Sequence, residues 1–269
     1  MNIKMFRNGG CVSGCDLFFN LLILHKIYTM NFAIIAAGEG SRLLADGIES
    51  PKPLVKLQGV SLIDRLTGIF VRNGASSINV IVNEENKLTL NHLNNMKLAV
   101  PLRVLVKTTP GSMYSLRELK PFLGNEPFCL STVDTVFREE EFTAYITAFR
   151  NAAQLDGLMA VTNFEDDEKP LYVKVNNDRK IIGFYNKKEE EETTSLAHQF
   201  FVSGGIYCLK PTIWSVLEET MATGSMRMRD FQGRMVAAGL NLAAFPFSKI
   251  VDIDRAADIP IAEQLIINN

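Results

Sequence analysis

The sequence predicts a three-layer α/β/α fold, with a mostly parallel sheet between two layers of helices and a smaller β-rich portion. From Asn31 onward, short apolar runs alternate with amphipathic helical patterns, which is typical of β-α-β units with right-handed crossovers. The first apolar run, residues 32–36, contains no polar residue, as expected for a strand buried on both faces of a parallel sheet. The chain has 269 residues, enough for one such domain with a substantial core.

The elements of the parallel part follow one another along the first 162 residues. After the strand at 32–36, Ser61 is expected to cap a helix whose apolar side chains share one face, and Asn73-Gly74 is expected to end it. The same reasoning predicts strands at 78–82, 102–106, 128–131 and 158–162 and helices at 87–94, 112–119 and 139–153.

The pattern changes after about residue 165. Residues 171–175 and 181–185 alternate around Asn176-Asn177-Asp178, which predicts a β-hairpin. The acidic run at 189–192 and the two threonines after it predict a solvated loop. The remaining patterns predict strands at 205–209, 242–247 and 249–253 and helices at 211–221 and 228–238.

The first 29 residues are expected to lie outside the fold, as an N-terminal extension to a domain at 30–269. The apolar stretch at 18–24 is far too short to span a bilayer, and no cleavage pattern of small residues follows it. Met30 is therefore predicted to be the functional start, and the protein is predicted to be cytoplasmic with no membrane partner. The net charge of −2 provides no basic face, which argues against nucleic acid as a partner.

A glycine loop follows the first strand directly and reads AAGEGSRL over residues 36–43. Glycines at the carboxyl end of a parallel strand let backbone N–H groups approach an anion, because no Cβ blocks the way. A plain tight turn is the alternative. A dinucleotide fingerprint would need a glycine where Leu43 stands, and the Gly-Lys-Ser/Thr of a P-loop is absent.

A lysine between two prolines comes next, in Pro51-Lys52-Pro53. The prolines restrict the backbone and hold Lys52 in a fixed place. Together with Arg42, which follows the glycines, it is expected to stabilise charge on a triphosphate.

The glycine loop combined with the PKPL segment at 51–54 resembles the signature of the sugar-phosphate nucleotidyltransferases, the NDP-sugar pyrophosphorylase family. The resemblance extends over most of residues 31–265 and implies a Rossmann-like fold. It implies a transferase that moves a nucleoside monophosphate from an NTP to a sugar 1-phosphate and releases pyrophosphate. It assigns catalytic roles to Lys52 and Arg42. It also implies nucleotide contacts at Ala36, Ala37, Gly38, Gly40, Ser41, Gly111 and Ser112.

The resemblance implies Mg²⁺ as the cofactor, held by Asp134 and Asp252. Two carboxylates from distant segments suffice for Mg²⁺, which keeps phosphate oxygens and water as its other ligands. Alternatively, Asp134 is a turn residue with no role in metal binding. Asp252 is preferred to Asp254, because Asp254 or Asp258 is expected to cap the last helix, with Pro260 in its first turn.

The acceptor side fits the family less well. Its contacts are expected at Gly205 and Lys187, but Val133, Ser203, Asn186 and Arg255-Ala256 replace the residues usual in the family. A cytidylyltransferase for phosphocholine or another alcohol phosphate therefore stays open, as does a non-catalytic paralogue that binds nucleotide or sugar phosphate. A nicotinamide-dependent oxidoreductase is a weaker rival, and a homo-oligomer is left open.

Overall fold

The computed structural model describes residues 29–165, 169–187 and 198–267. The predicted extension at 1–29, except Thr29, and the predicted acidic loop at 189–192 lie outside this part of the chain. Among the described residues, no helix is both long and apolar enough to cross a lipid bilayer.

Thirteen strands and eight α-helices are present in the described residues. The strands are β1 Met30–Ala36, β2 Lys56–Leu57, β3 Val60–Ser61, β4 Ala75–Val82, β5 Leu102–Val106, β6 Phe128–Thr132, β7 Thr135–Val136, β8 Gly157–Thr162, β9 Tyr172–Asn176, β10 Ile181–Tyr185, β11 His198–Leu209, β12 Leu242–Phe247 and β13 Val251–Asp252. The helices are α1 Ser41–Ala45, α2 Leu62–Arg72, α3 Lys87–Asn95, α4 Ser112–Leu123, α5 Glu139–Asn151, α6 Ile213–Ala222, α7 Met228–Ala237 and α8 Asp258–Ile267.

Nine of these strands form the central sheet. β5, β4, β1 and β6 lie side by side and parallel, with β1 between β4 and β6. β11 runs antiparallel to β6, β8 and β9, while β8 pairs in parallel with β12. The β9–β10 hairpin adds the outer antiparallel portion.

Helices cover both faces of the sheet, which confirms the predicted three-layer fold. On one face Phe32 packs against Phe70 of α2, with ring centroids 4.4 Å apart, and α5 and α8 complete the layer. On the other face Phe128 stacks on Trp214 of α6 at 5.2 Å, beside α4 and α7. Ser61 caps α2 as predicted, since its side chain accepts a hydrogen bond from the N–H of Asp64.

Two differences from the predicted elements matter for the site. β11 begins at His198, seven residues before the predicted strand, because the register shift between Ser203 and Tyr207 absorbs the two glycines as a bulge. The short helix α1 follows the glycine loop directly, and no helical pattern in its five residues predicts it.

The parallel strands bring four loops to one edge of the sheet. β1, β4, β5 and β6 all end there, followed by Ala37, Asn83, Lys107 and Val133. Ligands in open α/β sheets bind outside the carboxyl ends of the strands. This edge is therefore where a functional site is expected.

Candidate functional site

The glycine loop offers free backbone donors at the end of β1. In the described part of the chain, the N–H groups of Gly38, Glu39 and Gly40 have no hydrogen-bond acceptor. Gly40 has a φ of 65°, and a Cβ there would lie 3.2 Å from the Cβ of Lys52. This position therefore needs glycine both for its left-handed backbone and for the close approach of Lys52. The loop can bind an anion through its backbone.

The side chain of Ala36 does not face this site, so a ligand contact at Ala36 stays a prediction that concerns its backbone alone. Alternate side chains of a strand point to opposite faces of the sheet. Ala36 is buried in the core layer that contains Phe32 and Phe70, whereas Ile35 and Ala37 line the cavity beside the glycine loop.

Lys52 lies at the centre of the site. It begins a single 3₁₀ turn after Pro51, and its side chain is only 11% exposed. Its Nζ forms one ion pair with Asp134 and another with Oδ1 of Asp254, the latter at 2.6 Å. Burial alone would lower the pKa of Lys52, but the two carboxylates outweigh it and hold the pKa above the ordinary value of a lysine. Lys52 is therefore a fixed cation.

Asp254 connects both predicted cations, a role that the sequence does not indicate. Its Oδ2 lies 2.9 Å from Nη2 of Arg42, so one carboxylate bridges Arg42 and Lys52. Asp258 shapes the turn that presents it, because its Oδ2 accepts the N–H groups of Asp254 and Arg255 at 2.8 and 2.6 Å. Asp258 is the first residue of α8 rather than the predicted cap, and Asp254 lies outside that helix.

Strand register brings Asp134 and Asp252 together from segments more than 100 residues apart. Asp134 lies in the turn between β6 and β7, and the pairing of β13 with β7 sets Asp252 opposite Thr135. Burial, followed by the negative charge of Asp134, raises the pKa of Asp252 to about 8. Burial would also raise the pKa of Asp134, but the ion pair with Lys52 outweighs it and lowers that pKa.

These two carboxylates fit a divalent cation. Oδ1 of Asp252 is buried and has no hydrogen-bond partner among the described residues. A buried carboxylate oxygen without a partner is costly, and a cation between it and Asp134 would satisfy it. No group of three or more His, Cys, Asp or Glu side chains in the described ranges could hold a metal ion. A pair of carboxylates suits Mg²⁺, which completes its shell with phosphate oxygens and water.

A first cavity of about 460 Å³ contains most of the predicted nucleotide-binding residues. Of the residues predicted from the sequence, its lining includes Ala37, Gly38, Gly40, Ser41, Arg42, Lys52, Gly111, Ser112 and Asp134. At Gly111 a Cβ would lie 2.5 Å from the carbonyl oxygen of Met226, so only glycine allows this approach.

Asn83 also lines the first cavity, although nothing in the sequence singled it out beyond its place after a predicted strand. Its Nδ2 donates to the carbonyl of Ala37 at 3.3 Å, while its Oδ1 accepts the N–H groups of Glu85 and Asn86 at 3.1 and 2.9 Å. The C=O and N–H of a trans peptide point in opposite directions. The hydrogen bond from Asn83 to the carbonyl of Ala37 therefore helps to point the N–H of Gly38, in the same peptide, away from Asn83.

A second cavity, of about 560 Å³, adjoins the first. Gly111, Ser112, Thr132 and Asp134 line both cavities, so they form a shared wall between them. Gly205 and Asp252 line only the second of the two. Two ligands bound in the two cavities would therefore meet beside Asp134.

We expect Gly205→Ala to destabilise the protein by roughly 2–4 kcal/mol, since the residue has a φ of 70° and its Cβ would lie 2.9 Å from Oγ1 of Thr135. Gly239→Ala is the matched control, because its φ is 78° but nothing lies within 4 Å of the added Cβ. Urea unfolding should show a smaller loss of about 1 kcal/mol for the control. Equal losses in both variants would show that the collision with Thr135 has no effect.

Lys187, a predicted acceptor contact, does not lie in either cavity with the other predicted residues. It is exposed just after β10 and is absent from the linings of both cavities. Arg227 and Arg229 do line the second cavity, although the sequence did not single them out.

Comparison with protein families gives a match over most of the chain. The family model described as nucleotidyl transferase matches residues 32–259.

Curated relatives are similar at low identity. The bifunctional protein GlmU of Methanococcus maripaludis (strain C5) is 23% identical over 213 residues, which cover 78% of this chain and 48% of the relative. The UTP–glucose-1-phosphate uridylyltransferase AglF of Haloferax volcanii is 24% identical over 187 residues, or 69% of this chain and 74% of the relative. The chain spans about half the length of the GlmU proteins that it matches.

Solved structures share the fold. The inositol-1-phosphate CTP transferase from T. maritima aligns with a TM-score of 0.72 and 19% identity, covering 89% of this chain and 96% of the other. A putative glucose-1-phosphate thymidylyltransferase from Bacillus anthracis also aligns with a TM-score of 0.72, at 20% identity, covering 88% and 94% of the two chains.

Proposed function

Because the chain belongs to the nucleotidyl transferase family, we propose that it transfers a nucleoside monophosphate from an NTP to a sugar 1-phosphate and releases pyrophosphate. The observation that carries the proposal is the shared wall between the two cavities. The first cavity has the free N–H groups, Arg42 and Lys52 that suit a triphosphate, and the second adjoins it at Asp134. Two substrates bound there would have their reacting phosphates next to one another.

In the proposed reaction, a phosphate oxygen of the acceptor attacks the α-phosphorus of the NTP. A new P–O bond forms, and the bond to the bridging oxygen of pyrophosphate breaks, so pyrophosphate leaves with that electron pair. The fixed cation of Lys52 stabilises the negative charge at the α-phosphate, and Arg42 binds the other phosphates. The backbone N–H groups of the glycine loop hold the triphosphate in place.

Mg²⁺ is part of the proposal, with Asp134 and Asp252 as its protein ligands. When bound, it would neutralise phosphate charge and polarise the phosphoryl oxygens. Asp134 is also an ion-pair partner of Lys52, so a cation held there would share this carboxylate with Lys52. We also propose that the protein acts in the cytoplasm, on small molecules rather than on nucleic acid.

The relatives support two acceptor classes. The names of the AglF protein and of the thymidylyltransferase state glucose 1-phosphate as their substrate, which favours a sugar 1-phosphate. The name of the T. maritima enzyme states inositol 1-phosphate and CTP, which favours an alcohol phosphate as the second candidate.

The test is pyrophosphate release with each of the four ribonucleoside triphosphates and dTTP against glucose 1-phosphate, other sugar 1-phosphates, inositol 1-phosphate and phosphocholine, all with Mg²⁺. We expect release that requires one NTP, one acceptor and the metal together. Binding of an NTP without pyrophosphate release from any pair would instead indicate a non-catalytic paralogue. Pyrophosphate release with an alcohol phosphate but with no sugar 1-phosphate would favour the second candidate.

A further inference from the structure

The second cavity has two arginines in its wall that the proposed reaction does not yet use. Arg227 directly precedes helix α7 and Arg229 lies in its first turn, and both line the second cavity but not the first. The segment that bears them packs against the shared wall, because the carbonyl of Met226 contacts Gly111 closely enough to exclude a Cβ. The arginines are therefore held beside the junction of the two cavities, on the acceptor side.

Neither arginine is neutralised by a carboxylate among the described residues. The side chain of Arg227 is exposed and makes no hydrogen bond or ion pair with any of them. Arg229 donates only to neutral oxygens, at 2.6 Å to Oδ1 of Asn186 and at 3.2 Å to the carbonyl of Lys169. Arg42 and Lys52, by contrast, both pair with Asp254. Two uncompensated guanidinium groups in one cavity favour an anionic ligand.

A buried amide, that of Gln232, also lines the second cavity. Gln232 is 1% exposed; its Nε2 makes a long hydrogen bond of 3.5 Å to Oγ of Ser203, and its side chain also interacts with the hydroxyl of Tyr207. It lies three residues after Arg229, so the two side chains project from one face of α7. A buried amide with spare hydrogen-bonding capacity beside two arginines suits a ligand with both hydroxyl groups and a negative charge.

We propose that Arg227 and Arg229 bind the phosphate monoester of the acceptor, and that Gln232 contacts one of its hydroxyl groups. The proposal rests on the proposed function and specifies its acceptor site. Guanidinium groups recognise phosphate through paired, charge-assisted hydrogen bonds. The phosphate is thereby held at the end of the second cavity that adjoins the NTP. Arg229 is also held in place by its hydrogen bond to Asn186.

Steady-state kinetics of Arg227→Ala and Arg229→Ala test the assignment. We expect the KM for the acceptor to rise about 10- to 100-fold in each variant, because each loses a charge-assisted hydrogen bond to phosphate. The KM for NTP should stay within about twofold, since neither residue lines the first cavity. Arg227→Lys should have a KM for the acceptor close to that of the wild type, because a lysine keeps the positive charge and the Arg227 side chain has no other partner among the described residues. Arg234→Ala, an exposed arginine of the same helix, is the matched control.

Calorimetry gives an answer that does not depend on turnover. Glucose 1-phosphate, inositol 1-phosphate and phosphocholine are each titrated into the protein, with and without an unreactive α,β-methylene NTP analogue. The corresponding alcohol without phosphate is titrated in parallel for each. We expect at least one monoester to bind the wild type at least tenfold more tightly than its alcohol and to lose that preference in both alanine variants. Equal monoester affinity in wild type and variants would overturn the assignment, as would a wild type that binds the analogue but no monoester. Failure to bind the analogue would instead contradict the proposed function.

Discussion

Replacing Lys52 by methionine is expected to lower kcat by about 100- to 1000-fold, which corresponds to roughly 3–4 kcal/mol of transition-state stabilisation. The variant keeps the length of the side chain but removes the cation that lies between Asp134 and Asp254. Without it, charge developing at the α-phosphate has no fixed counter-charge. The KM for NTP should change much less, because Arg42 and the N–H groups of the glycine loop remain.

The same substitution should also destabilise the metal-free protein, by about 1–3 kcal/mol, since two partly buried carboxylates lose their shared partner. Adding Mg²⁺ should restore part of this loss in a thermal unfolding experiment. Lys56→Met is the matched control, because Lys56 is exposed four residues further along and lines neither cavity. A folded Lys52→Met variant with kcat within tenfold of the wild type would contradict the catalytic role.

Asp134→Asn is expected to have the largest effect on activity, a loss of at least about 1000-fold in kcat, or roughly 4 kcal/mol. The change is nearly isosteric, so the turn between β6 and β7 should keep its shape. It removes one of the two carboxylates that fit a divalent cation and one of the two partners of Lys52. The protein should remain folded, because Lys52 keeps Asp254.

Metal binding separates the two roles of Asp134. Titration with Mn²⁺, followed by electron paramagnetic resonance, should show at least a tenfold weaker affinity in Asp134→Asn, whereas Lys52→Met should bind Mn²⁺ no more weakly than the wild type. Asp178→Asn serves as the control, because Asp178 is exposed in the β9–β10 turn. Unchanged Mn²⁺ affinity in Asp134→Asn would exclude this residue as a metal ligand.

Local patterns in the sequence predict the layers of the fold and most residues of the first cavity. Both the alternation of apolar runs with helical patterns and the free N–H groups of the glycine loop are set by residues close to one another in the sequence, so they can be predicted from it. The motif alone does not indicate which of its side chains face the cavity, and the side chain of Ala36 does not. The two-residue period of the strand would have indicated Ile35 and Ala37 instead.

The remaining features depend on contacts between distant segments, which no local pattern encodes. Asp254 pairs with Lys52 across 202 positions of the chain. The turn that places Asp254 beside Lys52 depends on the hydrogen bond from its N–H to Asp258. Arg227 and Arg229 look like surface residues at the start of an amphipathic helix. Only the packing of Met226 on Gly111 shows that they border a cavity.

The pairing of β7 with β13 has a consequence for how the protein is made. Asp252 and Asp254 emerge from the ribosome about 200 residues after Lys52, which takes roughly 10–40 s at ordinary rates of synthesis. A nascent chain that has already formed β1, β4 and β6 can therefore present its glycine loop and Lys52 before either late carboxylate exists. The pair of carboxylates is completed only once residue 252 has been made, so a shorter nascent chain has the glycine loop and Lys52 but only one of the two carboxylates.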